Sequence, residues 1–411
     1  MGADGMQLIE GHRPIDAPPG AHVVDVDPYD PVVLTDPLDC FATLRGCDVA
    51  YIPRYSVLAV ARHEHVNAVF SDHDRFVSSR GVGLNDFKLE KPWRPPSIIL
   101  EADPPDHTRT RRVLARVLSQ KAVRDFAELF RTTAETLVDD LIKRSEIEAV
   151  TEFAEVFPTT VFPRALGMHD INPRHLVDYG AMVFNAVGPD NAIRRKSMAQ
   201  ADVIVPWITA ACARDRLSED GLGAAIYADA DRGEITHAEA GMLVRSLLSA
   251  GVDTTVTGIG SALWCFAQNP GEWEKVRADP TLVRPAIDEV LRYTFPVHTF
   301  ARTAGCDAEI AGVPIVEGAK ILCVIGAANR DPGKWQDPDA FRVDRRPRGH
   351  LAFGVGIHGC VGQNIARAEI EAVLTAMIPR VAHIEPIGQA AWRPNNSIHA
   401  LDRMQIRLVP H

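Results

Sequence analysis

Phe353-Gly354-Val355-Gly356-Ile357-His358-Gly359-Cys360-Val361-Gly362 is the run that decides the fold of this 411-residue chain. Three glycines precede the cysteine, which makes a tight loop whose backbone can come close to a flat ligand. Val361, Ile365, Ala368, Ala372, Val373 and Ala376 then recur at helical spacing. A helix beginning at Val361 places backbone N–H groups beside the sulfur, which favours thiolate and moderates its electron donation. A single cysteine held in this way is the arrangement that binds haem iron through sulfur and promotes O–O cleavage. The plain alternative is a glycine-rich turn with a buried thiol.

The next informative stretch lies upstream. Thr236-His-Ala-Glu239 is a capping-box pattern and Asn269-Pro270 a stop signal, so the sequence predicts a helix of about thirty residues, roughly 45 Å long. Between Arg245 and Glu272 its only ionisable side chains are Asp253 and Cys265. A helix so apolar on all sides belongs inside the protein. Asp253 in its middle is costly unless it is paired or working.

Elsewhere, Val49–Ile52 and Ser56–Ala61 flank Pro53-Arg54 as a hairpin, and Glu309–Ile325 alternates apolar runs with turn residues. Most of the remainder is helical by spacing, as in Leu114, Val117, Leu118 and in Phe126, Leu129, Phe130, Leu137, Leu141. No repeat or flexible linker divides the chain. The expectation is a mainly α fold with a minor β sheet, helices packed around a buried cofactor, in one domain spanning 1–411, with residues 1–27 irregular.

Composition narrows the function. The net charge of −10, from 44 Lys and Arg against 54 Asp and Glu, argues against nucleic acid and against a membrane surface as partners. Met1 to Val26 carries four acidic residues and no apolar core, so it does not read as a secretory signal. No apolar run reaches membrane-spanning length. Seven cysteines without paired spacing suit a reducing cytoplasm.

The cysteine loop, Glu289-Val-Leu-Arg292 and Ala250-Gly251-Val252-Asp253-Thr254-Thr255, in this order and spacing, resemble the three signatures of the cytochrome P450 superfamily from about Pro28 onward. The resemblance implies Cys-ligated haem b with Cys360 as the axial iron ligand. It implies a buried structural trio of Glu289, Arg292 and Arg345. Thr254 and Asp253 become the residues that steer protons to the distal oxygen, with Thr254 offering a hydroxyl proton, and the small Ala250 and Gly251 leave room for a diatomic ligand. His107 and Arg111, four apart and so on one helix face, become clamps for one haem propionate; His358 and Arg302 serve the other. Arg109, Arg112 and Arg116 form a second stripe facing away from that pair, suited to an acidic partner or simply solvated. Bacterial members of this kind usually take electrons from a small ferredoxin of the [2Fe-2S] type or similar, served by an NAD(P)H-dependent ferredoxin reductase, and consume O2.

The substrate reading rests on Trp93-Arg-Pro-Pro-Ser97 and Val244-Arg-Ser246. Ser246 lies four residues before Ala250 and eight before Thr254, on the helix face that looks at the haem. Arg94, Ser97, Arg245 and Ser246 would form an anion site in an otherwise apolar pocket; pairing of the two arginines with propionates or surface carboxylates is the alternative. These segments, with Phe184 and Phe300, resemble the bacterial para-substituted-benzoate monooxygenases, which O-demethylate 4-methoxybenzoate to 4-hydroxybenzoate and formaldehyde. Val187 and Ala301 depart from that pattern, where relatives often carry Phe, and would enlarge the pocket. Hydroxylation of another small apolar substrate such as a terpenoid, and a non-catalytic haem-thiolate sensor, remain the other readings.

Overall fold

The computed structural model describes residues 13–411. About half of them form helices, and the apolar spacing accounts for where. The helices Asp106–Val117, Ala127–Leu141, Val283–Thr294 and Gln363–Met377 bury their apolar stripes in a core shared with the long predicted helix. That long helix starts where expected, at His237, with both hydrogen bonds of the capping box made between Thr236 and Glu239. It ends at Gln268, before Asn269-Pro270.

It is not continuous, which corrects the sequence reading. The chain breaks at Val252 into His237–Gly251 and Asp253–Gln268. Two local features explain the break. The Phe162 ring sits so close to Gly251 that a Cβ there would lie 2.4 Å from its Cζ. The hydroxyls of Thr254 and Thr255 donate to the carbonyls of Ala250 and Gly251 at 2.6 and 2.9 Å, competing with the helical ladder. The helix pattern after the cysteine loop also begins at Gln363 rather than Val361.

The strands are β1 (His22–Val23), β2 (Ala50–Ile52), β3 (Val57–Val60), β4 (Phe76–Val77), β5 (Ile147–Glu148), β6 (Thr299–Ala304), β7 (Ala308–Ile310), β8 (Val313–Ile315), β9 (Lys320–Val324), β10 (Val381–Arg393) and β11 (Ala400–Pro410). The main sheet has the order β1-β2-β3-β9-β6-β4, so the hairpin expected around Pro53-Arg54 pairs through β3 with a strand more than 250 residues later. Of the segment 1–27 expected to be irregular, residues 1–12 lie outside the described residues. His22 and Val23 form β1, because the N–H groups of His22 and Val24 find the carbonyls of Val49 and Tyr51. Among the described residues no helix is long and apolar enough to cross a membrane.

Beneath the cysteine loop, Glu289 and Arg292 are fully buried. The carboxylate accepts from Arg292 Nε at 2.8 Å, from Arg345 Nε at 2.9 Å and from the Arg342 backbone at 3.0 Å. Arg292 donates further to the carbonyls of Asn329, Pro338 and Ala340. One carboxylate and two guanidiniums therefore tie the Val283–Thr294 helix to the irregular segment that leads into the loop.

Candidate active site

The cysteine loop is shaped by its backbone. The Cys360 N–H closes it by donating to the Phe353 carbonyl at 2.7 Å. Gly354 and Gly356 adopt positive φ, and a Cβ on Gly356 would meet the Phe70 carbonyl oxygen at 2.6 Å. Burial pushes the Cys360 thiol up; the backbone N–H groups of Gly362 and Gln363, with Arg111 and Arg367, pull it back only in part. As expected, the nearby N–H groups favour the thiolate, but burial of the sulfur works against them. Desolvation outweighs them, and a metal cation is what makes such a sulfur anionic.

Cys360 opens onto a cavity of about 390 Å3, bordered also by Ala250, Gly251 and Thr254 from the two sides of the helix break. Arg111, Arg302 and His358 line the same space. The His107 ring lies behind, 4.3 Å from that of His358, centroid to centroid. His107 Nε2 is buried without a partner, and His358 lies against the Ile99 backbone with no well-formed hydrogen bond at either ring nitrogen. Arg111 has no carboxylate partner among the described residues. Among the described residues Arg302 donates only to the Ala301 carbonyl, and it lies 4.7 Å from the Phe70 ring centroid. The nearby Asp103 is already taken up by the backbone N–H groups of Ser78 and Ser79, at 2.9 and 3.1 Å. Burial, with Arg302 and His107 as neighbours, pushes His358 down to about 3; burial and Arg111 lower His107.

Four donors around one cavity, short of acceptors, suit a flat ligand with two carboxylates. No group of His, Cys, Asp and Glu among the described residues could hold a metal ion unaided. A lone sulfur ligand suits an iron whose other ligands come from a macrocycle. The donor set therefore fits haem: Cys360 would hold its iron, and His107, Arg111, Arg302 and His358 would meet its propionates.

On the opposite wall the structure separates residues that the sequence grouped. Thr254 borders the cavity, but its proton goes to Ala250, so its lone pairs are what it presents; this corrects the expectation of a donor. Asp253 does not border the cavity. Its carboxylate, 1% exposed, points the other way to Arg393, at 3.3 Å. The helix around it packs so tightly that a Cβ on Gly180 would lie 2.8 Å from Asp253 Cβ.

Arg94, Ser97, Ser246, Phe184, Ala250 and Phe300 all line the cavity. The hydroxyls of Ser97 and Ser246 are 3.3 Å apart. Arg245 does not line it; it is buried behind, with its guanidinium on the Pro95 carbonyl at 3.2 Å. Arg94 is not a free cation either, since Glu101 accepts from it at 3.1 Å. Val187 lines the cavity, whereas Ala301 does not. Side chains alternate along β6, so Phe300 and Arg302 face inward and Ala301 faces away, which removes Ala301 from the pocket.

The arginine stripe is also corrected. Arg109 pairs with Glu239 at 2.5 Å, and Arg116 with Asp229 and Glu234, leaving Arg112 as the stripe's exposed member without an acidic partner among the described residues. Among the described residues the stripe therefore offers one unpaired cation rather than three.

Glu101, Asp103 and Arg393 were missed by the sequence reading. Glu101 follows Arg94 by seven residues with no helix between them, and Arg393 is 140 residues from Asp253, so no local spacing marks either pair.

A family model described as Cytochrome P450 matches residues 214–396. The chain is 45% identical to cytochrome P450 CYP199A2 of Rhodopseudomonas palustris over 393 residues, 95% of each chain. It is 30% identical to cytochrome P450 107B1 of Saccharopolyspora erythraea, over 90% of this chain and 92% of the other. Among solved structures it resembles CYP109Q5 from Chondromyces apiculatus, with a TM-score of 0.79 and 28% identity over 94% of this chain and 99% of the other. Epothilone D-bound P450epoK matches in fold with a TM-score of 0.83 at 24% identity, covering 94% and 100%. Likeness along nearly the whole length, on the same fold, leaves one assignment: the chain belongs to the cytochrome P450 family and is a monooxygenase that carries haem b on a cysteine sulfur.

Proposed function

We propose that this monooxygenase, a single domain over 1–411 working in the cytoplasm, oxidises a small aromatic carboxylate, with O-demethylation of 4-methoxybenzoate as its reaction. The observation that carries the reading is the meeting of Arg94, Ser97 and Ser246 on one wall of a mostly apolar cavity bordered by the Phe184 and Phe300 rings. The overall change balances as 4-methoxybenzoate, O2, two electrons and two protons going to 4-hydroxybenzoate, formaldehyde and water. The electrons come from an external ferredoxin, of the [2Fe-2S] type or similar, and its NAD(P)H-dependent reductase.

Bound haem supplies oxygen activation and insertion of one oxygen atom into a C–H bond. The chain supplies placement. Arg94 and the Ser97 hydroxyl hold the carboxylate, Ser246 giving its own proton to the Met242 carbonyl at 2.9 Å and accepting from Ser97, and the two phenylalanine rings confine the aromatic ring. Thr254 presents acceptor lone pairs at the cavity wall, and Asp253 waits behind it on Arg393 as a proton carrier. Thr254→Ala should lower formaldehyde formed per NADH consumed by about tenfold, the scale of one hydrogen bond; unchanged coupling would remove Thr254 from the proton path.

Titration with 4-methoxybenzoate tests the reading. It should shift the Soret band of the ferric enzyme toward high spin, and no shift would argue for another substrate. Arg94→Ala should weaken that binding by about 3 kcal/mol, at the upper end of a charge-assisted bond, because it also takes from Glu101 its direct ion-pair partner. A loss within error would place the carboxylate elsewhere. The Arg94–Glu101 pair favours a second reading, a neutral apolar substrate such as a terpenoid, since the guanidinium facing the cavity is already neutralised.

A further inference from the structure

Arg94 and Arg245 come from segments 151 residues apart, yet both donate to the same Pro95 carbonyl, at 2.9 and 3.2 Å. Their guanidiniums are therefore close neighbours, away from water: Arg245 is 7% exposed, and the Arg94 and Glu101 side chains 9% and 8%. Glu101 answers only one of them. Its Oε2 accepts from Arg94 Nη1 at 3.1 Å and from the Ser97 backbone N–H at 2.6 Å. Arg245 has no carboxylate partner among the described residues. The buried set of two guanidiniums and one carboxylate thus carries one uncompensated positive charge beside the Ser97 and Ser246 hydroxyls. Lys91, which is exposed, and the half-buried Glu90 and Arg194 also border the cavity, but all three are less buried than the Arg94, Arg245 and Glu101 set and so more screened by water.

We infer that Glu101 is a specificity-determining residue that sets the charge of the substrate: by cancelling one of two buried guanidiniums it fits the site to a single negative charge, against neutral and doubly charged isosteres. The inference rests on the carboxylate reading of the preceding subsection. A buried cation without a counter-ion is unfavourable, which penalises the neutral ligand. A second negative charge would meet Glu101 with no remaining cation, which penalises the dianion. Glu101 also closes its own turn, its backbone N–H donating to the Ser97 carbonyl at 2.9 Å. Gln at this position keeps an oxygen for the Ser97 N–H and removes only the charge.

The test titrates the ferric holoenzyme with three 4-methoxyphenyl ligands: the neutral benzamide, the benzoate, and the phosphonate in its doubly charged form. The parent should bind the benzoate more tightly than either of the others. In Glu101→Gln the benzamide should bind as before, the benzoate about tenfold tighter (~1.4 kcal/mol), and the phosphonate about a hundredfold tighter. Glu101→Asp, which keeps the charge, should keep the parental order. A parent that binds the phosphonate at least as tightly as the benzoate overturns the inference. So does a Gln variant that shifts all three ligands equally, which would make Glu101 a turn-closing residue only. If Glu101→Gln is without effect while Arg94→Ala still weakens the benzoate, the inference fails and the carboxylate reading stands; if Arg94→Ala is also silent, the reading itself fails.

Discussion

Replacing Glu289 by alanine should cost about 3–5 kcal/mol, the scale of removing one partner from a buried ion pair. That is a large share of the ~5–15 kcal/mol by which folded proteins are stable. Alanine leaves the fully buried Arg292 and the nearly buried Arg345 facing each other with no anion between them. It also strips the Arg342 N–H of its acceptor. Because the trio anchors the segment that precedes Phe353, the damage should extend to the cysteine loop. The measurement is urea denaturation of the haem-loaded protein, followed by far-UV circular dichroism and by the Soret band. The variant should lose its Soret signal at much lower urea than the parent, and a midpoint within error of the parent would show that the trio is dispensable. Arg345→Lys should fall in between, keeping the charge but losing the donors that reach the carbonyls of Asp337 and Ala340.

Glu369→Gln should do the opposite, with a pH signature. Glu369 sits on the Gln363–Met377 helix, fully buried, and neither carboxyl oxygen has a hydrogen-bond partner among the described residues. Burial raises its pKa well above the ordinary 4.5, so the folded protein holds a proton that the unfolded chain gives up as pH rises past that value. The parent is therefore at its full stability, as far as this group matters, below about pH 4.5. It loses stability as pH rises toward the folded pKa, at about 1.4 kcal/mol per pH unit. Glutamine has no proton to lose. The stability difference, variant minus parent, should grow by ~1.4 kcal/mol per pH unit above pH 4.5, measured by urea denaturation at a series of pH values. A difference that is flat with pH would mean that Glu369 is ionised in the fold and paired.

What the sequence made legible was mostly local. The cysteine loop, the Glu289-to-Arg292 spacing and the capping box at Thr236 each lie within ten residues, and the structure has the geometry that each implies. The hairpin around Pro53-Arg54 was legible for the same reason. The misses came from pairings across the fold. Asp229, Glu234 and Glu239 neutralise two arginines of the stripe from more than 110 residues away, and Arg393 turns Asp253 from the cavity across 140. The break at Val252 needed the Phe162 ring, which no helical pattern shows. Ala301 is a different case: once Phe300 and Arg302 are both placed in the pocket, strand alternation already turns Ala301 out, so that correction was within reach of the sequence.

The order of the main sheet bears on how the chain comes to be folded. β3 pairs in parallel with β9, Leu58 beside Ile321, and β4 pairs with β6 across a similar gap. On a ribosome adding about 5–20 residues per second, β3 waits on the order of 10–50 s for its partner to be made. Until then the β2–β3 hairpin has a bare, apolar edge. Cys360 emerges later still. Cofactor capture is therefore a late event in the life of each molecule, reached only after an interval in which that edge has to be kept from the edges of other nascent chains.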